Sequence, residues 1–397
     1  MIMQGRRKWW IICGTCVKFL AMFTPPYGDL VNWASVADIL LKAISTGHYS
    51  QVTVPGVYTG LGLLLLPSFW LWIRLPVAHP PVNQANMLFS TSIPVLLLSF
   101  LLKIPVFLAD IGTGILVSTL VARATKSPSK GSTAFLLWYL NPFNIYWINV
   151  FGGMDIIPTF IFMLGVNLGS KEKWFGSGIS LAFASVLRIF PIFTFPFLLA
   201  VFRGNWRRSL LFMVGFLVPL AIVFGFALTT GLVTSTWIIG TPSRQFWLLD
   251  FFGYSLTNSF VKLTYVVVAL QLFITYRYWH KPEAISLATI SVLALLTAAQ
   301  AYGGSGHHFI WASPLLTTSV MINPNEKLAY IFTFVTACLG PFISPIPLPT
   351  YTDTLTWGAF YAAKTNYLVR INLNQIRQFA TNKTATLNLQ VAANRTG

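Results

Sequence analysis

The sequence predicts an all-α, polytopic membrane protein, and three observations carry that expectation. Of the 397 residues, 55% are hydrophobic and only 9% are charged, against about 25% charged in a soluble chain. Apolar runs of roughly 15 to 22 residues recur along the chain, near the length a helix needs to cross a bilayer. Lys and Arg gather in the short connections between those runs, as orientation by positive charge requires. The net charge of +17 is therefore read as a topological signal. No basic stripe with interleaved aromatics marks a nucleic-acid surface.

Residues 9–23 form the first expected span, with Arg6, Arg7 and Lys8 on its cytosolic flank. A secretory leader starts the same way, but no small-residue cleavage site follows, so the segment reads as a retained helix. Residues 25–54 then lie outside. Within them Leu30, Trp33, Ala34, Ala37, Leu40 and Leu41 recur at helical spacing, with Asn32, Ser35, Asp38 and Lys42 between them. That pattern predicts an amphipathic helix along the membrane surface. Residues 57–73 return to Arg74 and a Pro-rich cytosolic loop. Residues 88–102 and 106–121 read as a broken pair, interrupted at Lys103-Ile104-Pro105. Residues 134–150 go out, Gly152-Gly153-Met154-Asp155 turns, and 156–168 come back.

The alternation continues through 175–189, a short Pro-rich return and 210–228 to a second outer loop, 231–258. Residues 259–276, 284–302, 307–322, 328–343 and 354–369 complete about thirteen or fourteen transmembrane helices. Residues 1–370 then make one transmembrane domain, with 24–56 and 231–258 as its outer loops and 371–397 as a basic, polar cytosolic tail. If the tail is cytosolic, its sequons at Asn382 and Asn394 go unused. Cys13 and Cys16 form a CxxC inside an apolar span, and with only Cys338 elsewhere they read as small helix residues, not a zinc site.

Few acids remain to do chemistry. The six Asp fall in outer loops or the outer parts of spans, and Glu172, Glu283 and Glu326 on the cytosolic side. Asp29 stands at a loop-to-helix junction. It reads either as an N-cap, worth about 1 kcal/mol, or as a general base where the bundle opens outward. Asp38 is nine residues on and points away from it, as a solvated helix face. Asp155 reads as a helix cap or as a functional group at the outer junction of two spans. Lys103 and Asp110, seven apart, share a helix face about two turns apart, too far for direct contact. Ionisable groups at that depth are functional candidates, unless each pairs with another helix.

Arg188, in Leu187-Arg188-Ile189-Phe190-Pro191, either meets a phosphate at headgroup level or snorkels. Arg244 is a second candidate of that kind. His307 and His308 point apart on a helix and make a poor metal pair. One of them donates to an anion, or both are interfacial polar residues. No phosphate loop, nucleophile elbow or HExxH sequence is present.

Five stretches carry a resemblance: PYGDLVNWASVADILLKAISTGHY, KIPVFLADIGTGIL, NPFNIYWINVFGGMD, GSGISLAFASVLRIFPIFTFPFLL and HHFIWASPLL. In order and wording they resemble polyprenol-dependent glycosyltransferases of the GT-C type. Among these they are similar to the mannosyltransferases that include the catalytic subunit of GPI mannosyltransferase I and its prokaryotic relatives. The resemblance implies Asp29 as catalytic base and a polyprenyl- or dolichyl-phosphate-linked hexose donor, mannose first among the sugars. It implies a glycolipid or glycan acceptor and transfer with inversion on the non-cytosolic face, at the plasma membrane or the endoplasmic reticulum. Arg188, Lys103, His307 and His308 would hold the donor phosphate. Asp155, Asp110, Trp33 and Arg244 would position sugar, acceptor or cations.

Such transfer needs one carboxylate to take the acceptor proton and cations to stabilise a phosphate leaving group. Three departures stand out. Val31 sits where some members have a second acid, Arg188 where Lys is frequent, and His where Gln often precedes the late helix. No cofactor is indicated, and a divalent metal, the sugar and any partner subunit stay open. Two alternatives remain. The break at Lys103 to Pro105 also fits a transporter or lipid flippase, and the chain would equally suit a non-catalytic subunit.

Overall fold

A computed structural model describes residues 2–26, 28–47, 56–82, 84–87, 90–188, 191, 205–229, 310–311 and 313–322. The second outer loop with Arg244, His307 and His308, the spans expected at 259–276, 284–302, 328–343 and 354–369, and the tail lie outside the described residues. Among the described residues the chain forms helices and turns, with no strand. Two helices among the described residues are long and apolar enough to cross a membrane, Ile93–Thr125 and the Trp206–Val223 stretch of a third-quarter helix.

The first helix, α1 (Ile2–Ala21), exposes Trp9, Trp10 and Leu20 while burying Lys18 completely. Helix α2 (Gly28–Thr46) follows the expected amphipathic pattern: Leu30, Trp33, Ala34, Ala37 and Leu40 are buried. Asp38 takes an exposed i,i+4 pair with Lys42, at 2.7 Å. The helix begins at Gly28, so Asp29 stands inside its first turn and not at the cap. Helix α3 (Gly56–Ile73) packs on α2, and the single turn α4 (Gln84–Met87) lies beside them.

Helix α5 (Ile93–Thr125) corrects the broken-pair expectation, because it runs for 33 residues straight through Pro105. Proline removes one helical N–H and crowds the preceding turn. Here Leu102, Val106 and Ala109 are buried on both sides of it, and their packing holds the helix through the missing bond. At 1.5 Å per residue, α5 is about 50 Å long.

Its continuity changes the layout. Trp72, at the end of α3, donates from Nε1 to the Pro94 carbonyl (2.9 Å). Ser99 donates to the carbonyl of Thr24, just past α1 (2.8 Å). Arg123, at the other end of α5, donates to Ser170 (2.6 Å). The Pro-rich segment after Arg74 therefore lies at the Thr24 end of the bundle, with α2 and not across from it.

Helix α6 (Pro128–Tyr139) starts behind a Ser127 cap and stops before Asn141-Pro142, where a kink is expected. Asn141 caps the short turn α7 (Pro142–Asn144), accepting from the Phe143 N–H at 2.9 Å. A π-helical segment (Ile145–Val150) follows. Then come α8 (Ile156–Gly169) and α9 (Trp174–Leu187), and later α10 (Trp206–Thr229) and α11 (Ser313–Ile322). Two glycines set the α9–α10 crossing. A Cβ on Gly178 would lie 2.3 Å from the Phe212 carbonyl oxygen, and one on Gly215 would lie 2.3 Å from that of Phe175. Small residues let helix backbones approach this closely.

Candidate functional site

The Gly152-Gly153-Met154-Asp155 turn is where the bundle gathers. The π-helical segment delivers the chain to it, and Gly152 turns with φ +80°, a left-handed conformation that costs a glycine little. The space is also taken: a Cβ there would meet Leu30 of α2 at 2.9 Å and the Lys103 side chain at 3.1 Å. A Cβ on Gly153 would meet Ile310 at 3.0 Å. The late segment is tied in again by Ser313, which donates to Asn144 Oδ1 at 3.1 Å.

Asp155 follows the glycines and precedes α8. Its side chain makes no capping bond. Its Oδ1 instead accepts from Arg188 Nε, at the end of α9. Asp155 is 1% exposed and the Arg188 side chain 15%. The guanidinium also lies over the Trp33 ring, 5.6 Å from its centroid. A carboxylate that fixes Nε sets the plane of the guanidinium, and a planar fork held in one orientation is suited to a phosphate. Trp33 itself is fully buried. It is not an exposed stacking surface for a sugar, because its ring packs into the core beneath Arg188.

Lys103 lies under the same turn. Its ammonium donates to Thr24 Oγ1 (2.7 Å), Thr24 O (3.2 Å) and Val150 O (2.8 Å). An ammonium has three donors, so each has an acceptor here. In this arrangement Lys103 ties the exit of α1 to the end of the π-helical segment.

Asp110 belongs to a different cluster. It forms a fully buried ion pair with Lys18. It also accepts from Trp138 Nε1 (3.0 Å) and Asn149 Nδ2 (3.2 Å). The Lys18 ammonium sits 4.2 Å from the Tyr139 ring centroid, and the Tyr139 hydroxyl shares a hydrogen bond with Thr15 at 2.9 Å. Lys103 and Asp110 thus each find partners on other elements, as two turns of separation on α5 require.

Lys18 is the member that sequence reasoning missed. A lone cation deep in an apolar span was its signal. Asp29 is placed by its backbone alone, one residue before the Leu30 that packs on Gly152. Asp155, Arg188, Trp33 and Lys103 thus come together around one turn, and Asp110 lies apart from them. Among the described residues no group of three His, Cys, Asp or Glu could hold a metal ion.

Comparison with family models, with curated proteins and with solved structures finds no match for this chain.

Proposed function

We propose that the chain is a multi-pass membrane glycosyltransferase of the GT-C type, transferring a hexose from a polyprenyl-phosphate donor to an acceptor hydroxyl. One observation carries the reading. The five stretches that bear the family resemblance, scattered from residue 26 to residue 316, meet at the Gly152 turn through Leu30, Lys103, Gly152 to Asp155, Arg188 and Ile310. Residues distant in sequence that converge on one buried ion pair are what a site requires. The exposed apolar faces of α1 and α10, with Trp9 at 68% and Ile222 at 65%, suit lipid contact better than water.

Asp29 takes the proton of the acceptor hydroxyl as its oxygen attacks the anomeric carbon. The bond from that carbon to the phosphate oxygen breaks, and polyprenyl phosphate leaves against Arg188, which Asp155 orients. Direct displacement inverts the anomeric carbon. Lys103 and Asp110 shape the scaffold beneath.

The transporter alternative leaned on a helix break that α5 does not have. Purified protein given a radiolabelled polyprenyl-phosphate mannose and a glycolipid acceptor is expected to yield labelled glycolipid and free polyprenyl phosphate. Coupled solute uptake in proteoliposomes, without transfer, would point to a carrier instead.

On this reading a continuous α5 puts Ser90 and Lys42 on one side of the membrane and Lys173 on the other. In a chain freed of its native cysteines, Ser90→Cys is expected to react with an impermeant thiol reagent from the same side as Lys42→Cys. Lys173→Cys is expected to react only from the opposite side. Labelling of Ser90→Cys with the Lys173→Cys group would restore the broken-pair layout.

A further inference from the structure

The far end of the bundle carries a concentration of positive charge that the site above does not use. The turn from α5 to α6 exposes Arg123, Lys126 and Lys130. The turn from α8 to α9 exposes Lys171 and Lys173, and α10 opens with Arg207 and Arg208. These three places are adjacent in space. Arg123 donates to Ser170 at 2.6 Å, and Arg208 donates to Glu172 at 3.1 Å. The glycine crossing of α9 and α10 holds the last of them in place.

Glu172 is the acid that accompanies these cations among the described residues. The rest of the chain has no acidic segment to cover them. Asp250, Glu283, Glu326 and Asp353 each stand alone in sequence, and residues 371–397 contain Arg377, Lys383 and Arg395 but no acid. Among the described residues, seven cations at this end stand with one acid.

A second observation says what kind of partner. Trp206 (69%) is exposed next to Arg207, Leu210 and Leu211 are exposed one helical turn further along α10, and α9 exposes Phe175. The Arg207 guanidinium lies 5.8 Å from the Trp206 ring centroid. Cations and exposed apolar side chains about 5 Å apart along a helix match an amphiphile with an anionic head and an acyl tail. A soluble polyanion would leave the apolar half in water.

We propose that this face binds anionic phospholipid, with the cations on the headgroups and the Trp206–Leu211 stripe on the acyl chains. The inference rests on the membrane part of the proposed function and not on its enzymology. The test is lipid retention. The full chain is reconstituted in nanodiscs of equal phosphatidylcholine and phosphatidylglycerol, re-extracted in mild detergent, and its bound lipids are counted by mass spectrometry.

Wild type is expected to retain phosphatidylglycerol over phosphatidylcholine by about 5-fold, with the ratio falling as salt rises. A variant with Lys126, Lys130, Lys171, Lys173 and Arg207 changed to Gln is expected to retain the two lipids about equally. These side chains are exposed, so its melting temperature in phosphatidylcholine alone should match wild type. Lys42→Gln, at the other end, should leave the ratio unchanged. Equal retention by wild type, or enrichment that survives in the five-site variant, overturns the proposal. So does loss of enrichment to inorganic phosphate at matched ionic strength, which would mark a soluble-anion site. Failure to enter the bilayer at all would overturn the membrane reading with it.

Discussion

Lys18→Met is expected to destabilise the protein by about 3–5 kcal/mol, the usual cost of removing one partner from a buried ion pair. The Lys18–Asp110 pair is wholly inaccessible to solvent. Methionine fills much of the same volume, so packing changes little. What is lost is the cation. Asp110 then keeps only the neutral donors of Trp138 and Asn149, too little for a carboxylate away from water. Asp110→Asn is expected to cost less, because the Tyr139 ring still faces the Lys18 ammonium. The double variant Lys18→Met/Asp110→Asn is expected to recover most of the loss, since neither charge remains to be solvated. Denaturant or thermal melts of the four proteins close the cycle. Independent, additive losses would mean that the pair is not coupled.

The second large effect concerns Asp29. Asp29→Asn is expected to lower the rate of sugar transfer by about 10²–10⁴-fold, the range for removing a general base. The substitution separates two roles. Asparagine keeps the shape of the side chain, but it cannot take a proton from a hydroxyl. Asp29 lies in the first turn of α2, where a carboxylate gains about 0.3–1 kcal/mol from the helix dipole, so a folding cost of that size is expected. A nearly unchanged melting temperature with transfer abolished identifies the base. Transfer at the wild-type rate assigns Asp29 to the helix start alone and moves the search for a base to other acids.

The face of α2 was legible because it is a local property. A spacing of three and four residues identifies its apolar side wherever the helix packs, and Leu30, Trp33, Ala34, Ala37 and Leu40 are buried as their spacing requires. The end of α6 before Asn141-Pro142 follows a local rule too, since proline acts on its own turn. Pro105 misled because the same local rule is outweighed there by burial on both sides, which no single-helix pattern records. The ordering of the molecule into two ends followed from that one helix.

Composition and periodicity by themselves determined that the chain is helical, which segments are apolar, and which rare charged residues stand within them. Only the tertiary structure decided the partners. Lys18 meets Asp110 across 92 residues, and Arg188 meets Asp155 across 33. The physical reason is the low dielectric of a packed interior. A charge there must find a counter-charge or a full set of acceptors, but which helix supplies them depends on how the helices cross, and crossing is set by shape. Gly152, Gly178 and Gly215 fix those close approaches, and through them the packing joins Asp155 to Arg188 and leaves Lys103 to hold the turn.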